Sequence, residues 1–363
     1  MKILHTSDLH IGKSLNGFSL LEYQSKMLND LVCYMTSNNI KKIIIAGDIF
    51  DKSLPSSEAM NVFSSFLVKL YKSNIEAYII SGNHDSNLRL DYLSTILDDN
   101  KIHINTFDIK FYEEENVRIY LLPFIHFIDF KEKFHYEITS SEEGYSMLLN
   151  SIDLDNNYYN ILVAHDYFAN VNDDLSCESE RPIYLGDSEY INTSLLAKFD
   201  YVALGHIHKA MSLGNKIFYS GSPLKYSFSE IKNHNKVFII DTCLNNVVAV
   251  EIPSSYQFVE LEGKLDDLLN DKTFYDKENT LFKITVLDKQ EIPNLANRIK
   301  EIYPNTLEII KKNDFLYNNL DLKMEKKSIT ELFSDFYKMI TDEDLTKEEC
   351  QILKEVVVKI DDH

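Results

Sequence analysis

At 363 residues the chain is long enough for one large α/β domain plus a smaller module, because single cores stop growing at roughly 250–300 residues. Hydrophobic residues make up 44% and charged residues 26%, which excludes wholesale disorder, and no apolar run approaches the ~20 residues that span a bilayer. A formal charge of −20 argues against a free-standing DNA binder, since such proteins cluster Lys and Arg to displace phosphate counterions; acting on DNA would require a partner that supplies the basic surface.

The opening MKILHTSD lacks the long apolar stretch of a signal peptide, so a cytoplasmic location is expected. Cys33, Cys177, Cys243 and Cys350 are scattered singly, with no C-x-x-C pair, and are expected to be inert packing residues.

Up to about residue 250, short β-branched runs alternate with helix-like segments, the pattern of a sheet covered by helices. Strands are predicted over 2–6, 42–46, 77–81, 118–122, 160–164, 201–204, 217–220 and 237–241. Helices are predicted over 20–37 and 57–73, the second opened by serines ahead of Glu58 and following Pro55.

After Pro253 the texture changes to strand 258–261, helix 265–269, strand 281–287, helix 295–302 and strand 307–310, which reads as a small α+β cap. Phe282, Ile284 and Val286 alternate with Lys283 and Thr285, as in a sheet with one solvated face. Two capping boxes, Ser328 to Glu331 and Thr346 to Glu349, each open a tail helix. Leu332, Phe333, Phe336, Tyr337 and Ile340 form one apolar stripe; Ile352, Leu353, Val356, Val357 and Ile360 form another. They read either as a hairpin packed on its own cap or as a docking surface for a partner. The expected divisions are 1–252, 253–325 and 326–363.

Five apolar strands run directly into potential metal ligands. KILHTSDLH ends on Asp8 and His10, KKIIIAGD on Asp48, AYIISGNHD on Asn83 and His84, NILVAHD on His165, and YVALGHIH on His206 and His208. Any one piece alone is ordinarily a polar turn. Strand carboxyl ends line one edge of an α/β sheet, however, so the joint pattern predicts one site. Of the 10 glycines, Gly12, Gly47, Gly82, Gly205 and Gly221 adjoin these motifs, as where backbone must approach a metal or phosphate closely. Four imidazoles among the seven ligands are too nitrogen-rich for a typical Mg²⁺ site.

D-x-H, G-D-x-x-D, G-N-H-D, a later H-D and G-H-x-H, in this order, resemble the calcineurin-like metallophosphoesterase superfamily. LHTSDLHIGKS, AGDIFDKSLPS, SGNHDSN, ALGHIHKA and YSGSPLKYSFSE closely resemble, within it, the SbcD family of bacterial exonuclease subunits. The resemblance implies an α/β four-layered sandwich of two mixed sheets flanked by helices, with the cap and C-terminal helices appended. It further implies two divalent cations, with Mn²⁺ as the metal: Asp8, His10, Asp48 and His208 would hold one, Asp48, Asn83, His165 and His206 the other. His84 would orient the phosphate and donate a proton to the leaving oxygen, with Asp85 a plausible orienting partner. Gly221 and Ser222 would contact substrate, unless their segment is a plain hairpin turn. Asp51 matches the bacterial branch, other branches having histidine there.

The implied activity is exonuclease on duplex ends and endonuclease on single strands and hairpins, in DNA repair, recombination and replication. A homodimer and an SMC-like ATPase partner, SbcC, are also implied; no Walker A motif occurs in this chain. The competing readings are a phosphodiesterase of small or cyclic nucleotides, and a DNA-end clamp or scaffold. His5 is expected in the core by strand alternation, and His103, His126, His135, His234 and His363 at the surface.

Overall fold

The run Lys42–Ala46 is buried at every position in the computed structural model, so it cannot show the alternation of a half-exposed strand. Its two faces meet different cores. Ile43 and Ile45 pack among helix side chains, whereas Ile44 and Ala46 pack against a second sheet. Each such isoleucine contributes roughly 1.5–3 kcal/mol by burial. The structure describes residues 1–92, 94–170 and 190–312, together with Phe333, Tyr337, Lys338, Leu345, Thr346 and Glu349.

The strands are β1 (Lys2–Thr6), β2 (Lys42–Ala46), β3 (Glu76–Ile80), β4 (Ile102–Asn105), β5 (Lys110–Glu114), β6 (Val117–Leu122), β7 (Tyr159–His165), β8 (Tyr201–Gly205), β9 (Met211–Leu213), β10 (Ile217–Tyr219), β11 (Lys236–Asp241) and β12 (Asn246–Glu251). The first sheet runs β12-β11-β1-β2-β3-β4 and the second β9-β10-β8-β7-β6-β5. Both are mixed: β1 to β4 are parallel, as are β6, β7, β8 and β10, while β11 opposes β1 and β5 opposes β6.

Between the sheets lie Ile3, Ile44, Tyr78 and Ile80 from one side and Ile119, Leu121, Ile161, Val163, Tyr201 and Ala203 from the other. The outer face of the first sheet buries Leu4, Ile43, Ile45 and Ile79 against α1 (Leu21–Ser37) and α2 (Ser57–Lys72). The second buries Leu162, Ala164, Val202 and Leu204 against Tyr145, Leu148 and Leu149 of α3 (Ser141–Asn150). The result is the four-layered sandwich that the family resemblance implies. Ser56 caps α2, accepting from Ala59 N at 3.2 Å.

Beyond this, β13 (Gln257–Gly263), β14 (Thr280–Val286) and β15 (Thr306–Lys311) form a parallel sheet with α4 (Leu265–Leu269) and α5 (Leu295–Ile302) as the crossovers. Phe282, Ile284 and Val286 of the central strand pack with Leu268 and Ile299, and Lys283 and Thr285 are only half-buried, as the alternation predicts. Tyr256, Phe258 and Leu281 join the core of the first sheet, and residues 1–312 form one compact unit.

Residues 313–363 form a second unit. Within it the Thr346–Glu349 capping box closes, Thr346 N donating to Glu349 Oε2 at 2.8 Å and Glu349 N to Thr346 Oγ1 at 3.3 Å. The box at Ser328 and most of both apolar stripes lie outside the described residues. Among the described residues, no helix is long and apolar enough to cross a membrane.

Two expectations need correction. His103 is buried rather than superficial, because β4 carries it between the carboxylates of Glu76 and Asp98, its Nε2 lying 2.9 Å from Glu76. Cys33 and Cys243 are exposed rather than packed, Cys243 Sγ accepting from the Met1 amino group. Cys177, Cys350 and His363 lie outside the described residues.

Candidate metal centre

All the strands that end on the predicted ligands are parallel, so their carboxyl ends fall at one end of the sandwich. β1, β2 and β3 deliver Asp8, His10, Asp48, Asn83 and His84 from one sheet; β7 and β8 deliver His165, His206 and His208 from the other. The site therefore spans the gap between two sheets rather than the edge of one.

The backbone bends sharply to turn these side chains inward. Asp8, His10 and Asp48 sit at φ 52°, 42° and 50°, a left-handed region that non-glycine residues enter at about 1–3 kcal/mol each. Backbone bonds between the first two turns hold them there: Asp8 N donates to Gly47 O at 3.1 Å, and His10 N to Asp48 O at 3.0 Å.

Asp48 lies at the centre. Its Oδ2 faces His10 Nε2 at 3.6 Å and His84 Nε2 at 3.9 Å; its Oδ1 faces His165 Nε2 at 3.5 Å and accepts His84 N at 2.9 Å. On one side His10 Nε2 and His208 Nε2 approach to 3.1 Å. On the other, Asn83 Oδ1 lies 3.1 Å from His165 Nε2 and 3.2 Å from His206 Nδ1. Asp8 accepts the backbone N–H of His206 at 3.1 Å, and its carboxylate groups with His10 and His208, and with Asp48 and His165. The seven predicted ligands are thus brought together, all but Asn83 buried.

Three of the ring nitrogens that face away from the cluster are engaged. His165 Nδ1 donates to Ala46 O at 2.7 Å, His208 Nδ1 to Glu230 Oε1 at 3.1 Å, and His84 Nδ1 to Asp51 O at 2.9 Å. Each bond leaves Nε2 aimed into the cluster, the arrangement by which a protein fixes a ligand's tautomer.

Burial dominates the electrostatics. It pushes the Asp8 carboxyl up, and pushes His206 down to about 3 and His10 well below its usual range. Burial would also raise Asp48, but the charge and hydrogen bond of His165 outweigh it and hold Asp48 well below the carboxylate range. His165 is correspondingly held up at about 10, the Asp48 charge outweighing the opposing effect of burial. Two buried carboxylates in a cage of imidazoles favour positive charge at its centre, and a divalent cation fits that donor set in competition with the His165 proton.

Among the glycines beside these motifs, Gly82 and Gly205 are required for a reason the sequence did not reveal. A Cβ on Gly82 would lie 2.2 Å from Asp48 Oδ1, and one on Gly205 would lie 1.9 Å from Ala46 O and 2.7 Å from His165 Nδ1. The space is taken by Asp48 at one position and by the Ala46 carbonyl and the His165 ring at the other, rather than by backbone approaching a metal.

Several contributors were not anticipated. Asp85 does not orient His84: its carboxylate accepts from Ile49 N, Phe50 N and Gly82 N at 2.9–3.0 Å, tying the second and third turns together, and the backbone of Asp51 orients His84 instead. The Asp51 side chain pairs with Lys13 at 2.8 Å and faces His10 Nδ1 at 3.8 Å. Glu230 closes the quoted YSFSE segment, where a carboxylate following two aromatics was the available signal. Gly221 and Ser222 lie beneath the His208 turn, Ser222 N donating to His208 O at 3.0 Å and its hydroxyl to Leu224 O at 2.7 Å. His5 is in the core as expected, while His126, His135 and His234 are exposed.

A family model described as calcineurin-like phosphoesterase matches residues 1–210. The SbcD C-terminal domain model, described as the type 5 capsule protein repressor C-terminal domain, matches residues 256–341. Similar solved structures include a novel archaeal phosphodiesterase, 12% identical over 69% of this chain and 99% of its own, with a TM-score of 0.35. Protein TT1561 of Thermus thermophilus is 13% identical, with coverages of 69% and 99% and a TM-score of 0.41. A dimetal phosphatase from Danio rerio is 11% identical, with coverages of 70% and 99% and a TM-score of 0.39.

Proposed function

The chain belongs to the calcineurin-like phosphoesterase family and is of the SbcD type, and from that premise we propose that it is the nuclease subunit of a DNA-processing complex. It hydrolyses DNA phosphodiester bonds, as an exonuclease on duplex ends and an endonuclease on single strands and hairpins. The observation that carries the metal reading is the central position of Asp48, whose two oxygens face different imidazoles on opposite sides.

Asp8, His10, Asp48 and His208 would hold one divalent cation, and Asp48, Asn83, His165 and His206 the other, with Mn²⁺ as the metal. When bound, such a pair polarises a phosphodiester, acidifies water and steadies the charge on the departing oxygen. The chain's own residues supply the rest. Asp48 serves both positions at once. His84, its Nδ1–H held by Asp51 O, presents Nε2 toward the cluster and, as the imidazolium that carries a proton on both nitrogens, would give the Nε2 proton to the leaving alkoxide. Gly221 and Ser222 contribute by supporting the turn that carries His208.

The acidic chain requires help with DNA phosphates, and the match at 256–341 supports an ATPase partner of the SbcC type, docked through the C-terminal segment. The same resemblance implies that the subunit works as a homodimer within that assembly.

The test compares Mn²⁺-dependent digestion of duplex and hairpin DNA with hydrolysis of an aryl phosphodiester, with and without the ATPase. A nuclease subunit cuts DNA and is stimulated by its partner. Turnover of the aryl ester or a cyclic nucleotide with no DNA cleavage under either condition would favour the small-substrate reading.

A further inference from the structure

The two candidate cation positions are supported unequally. His165 is oriented by a neutral acceptor, the carbonyl of Ala46. His208 is oriented by a carboxylate: its Nδ1–H meets Glu230 Oε1 at 3.1 Å, and both side chains are almost wholly buried. The other carboxylate oxygen is also fixed, Oε2 accepting the backbone N–H of Tyr226 at 2.9 Å. Glu230 therefore cannot swing away without breaking a second bond.

The same segment reaches His10. The Tyr226 hydroxyl donates to Leu9 O, immediately before His10, at 2.5 Å. Its ring stands edge-on to His10 at 5.4 Å between centroids and to His208 at 5.8 Å. His10 and His208 are the pair whose Nε2 atoms converge. One short stretch, Tyr226 to Glu230, thus buttresses both imidazoles of a single cation position, whereas the acceptor behind His165 at the other position carries no charge.

We infer that Glu230 is a positioning residue for the cation held by Asp8, His10, Asp48 and His208, acting through His208 and leaving the other cation position unaffected. An acceptor behind Nδ1 fixes the tautomer that offers Nε2, and a negative one also raises the basicity of the ring as a ligand. The inference rests on the two-cation reading above. It adds a site-selective difference that the ligand set alone does not contain, since Asp48 is common to both positions.

The test is a Mn²⁺ titration of the full chain, followed by calorimetry and by electron paramagnetic resonance, with Glu230→Gln and Glu230→Ala alongside the parent. Gln keeps the size of the side chain and removes its charge; Ala removes the acceptor as well. Orienting carboxylates of this kind alter metal affinity by about 10–100-fold when lost. The expected result is two Mn²⁺ per parent chain, with one affinity lowered by about tenfold in E230Q and by up to about a hundredfold in E230A. The second affinity stays within about twofold, and the spin-coupled signal gives way to that of an isolated ion at lower Mn²⁺.

Equal weakening of both positions, or no weakening of either, would overturn the inference. So would loss of the thermal transition of the metal-free E230Q protein, which would make Glu230 a general core residue. A parent chain that binds one Mn²⁺ or none would overturn the two-cation reading itself, an outcome separable from failure of the variants alone.

Discussion

His165 Nδ1 donates to the carbonyl oxygen of Ala46 at 2.7 Å, a bond that crosses from one sheet of the sandwich to the other. It orients a ligand and couples the two halves of the site, and it leaves no room at the neighbouring Gly205.

Gly205→Ala should therefore disable the site although residue 205 carries no chemistry. Its Cβ would meet Ala46 O at 1.9 Å, an overlap with backbone that a rotamer change cannot relieve. Overpacking of this kind costs about 1–3 kcal/mol. Denaturation should report that loss, and Mn²⁺ affinity should fall with it. Parent-like stability and metal affinity would show that the sheets can separate at this point without consequence.

His5 makes acid stability measurable away from the ligands. It lies between the sheets, Nε2–H donating to Leu204 O at 3.2 Å and Nδ1 lying 2.9 Å from the Tyr201 hydroxyl. Burial pushes it down to about 3 from the ordinary value of 6.5, against a smaller upward effect of the Leu204 bond. Between those values the unfolded chain binds a proton that the folded chain refuses. The native state thus loses about 1.4 kcal/mol per pH unit as pH falls from about 6.5 toward 3, and nothing above that window. His5→Gln cannot titrate, so the drop in unfolding free energy between pH 7 and pH 5 should shrink by roughly 2 kcal/mol relative to the parent. Identical pH dependence in urea titrations of both chains would contradict this.

His84→Ala separates proton donation from metal binding. Loss of a general acid lowers the rate by roughly 10²–10⁴, and both cations should remain bound. An ester with an activated leaving group, which needs little protonation, should recover much of that loss. If the variant instead releases a cation, His84 is a ligand, as its grouping with His10 and Asp48 permits.

Much of this architecture was legible because the catalytic sheets are buried on both faces. The runs at 42–46, 160–164 and 201–204 are continuous apolar segments that stop on a ligand, and the structure extends none of them by more than one residue at either end. β4, β5, β9 and β12 escaped notice, β9 being an edge strand of three residues. β5 and β12 are edge strands with largely exposed sequences, KFYEE and NVVAVE, that carry no buried stripe, while β4, though buried, is only four residues long and includes His103 and Asn105.

The site shows the same division. Ligands were found because strand ends announce them, and the side chains behind the ligands were not. Glu230 reaches His208 across 22 residues and Asp85 reaches Ile49 across 36, distances at which no local pattern operates. The need for Gly82 and Gly205 was visible only as proximity, since the atoms filling their Cβ positions come from other strands.

The central claim is a two-cation centre built around one carboxylate, and the metal content of folded Asp48→Ala tests it most directly. Asp48 faces His10 through one oxygen and His165 through the other. The variant, purified in Mn²⁺ and checked for its thermal transition, should retain at most one weakly held ion and show no DNA cleavage above background. Two tightly bound ions with parent-like cleavage would contradict the account.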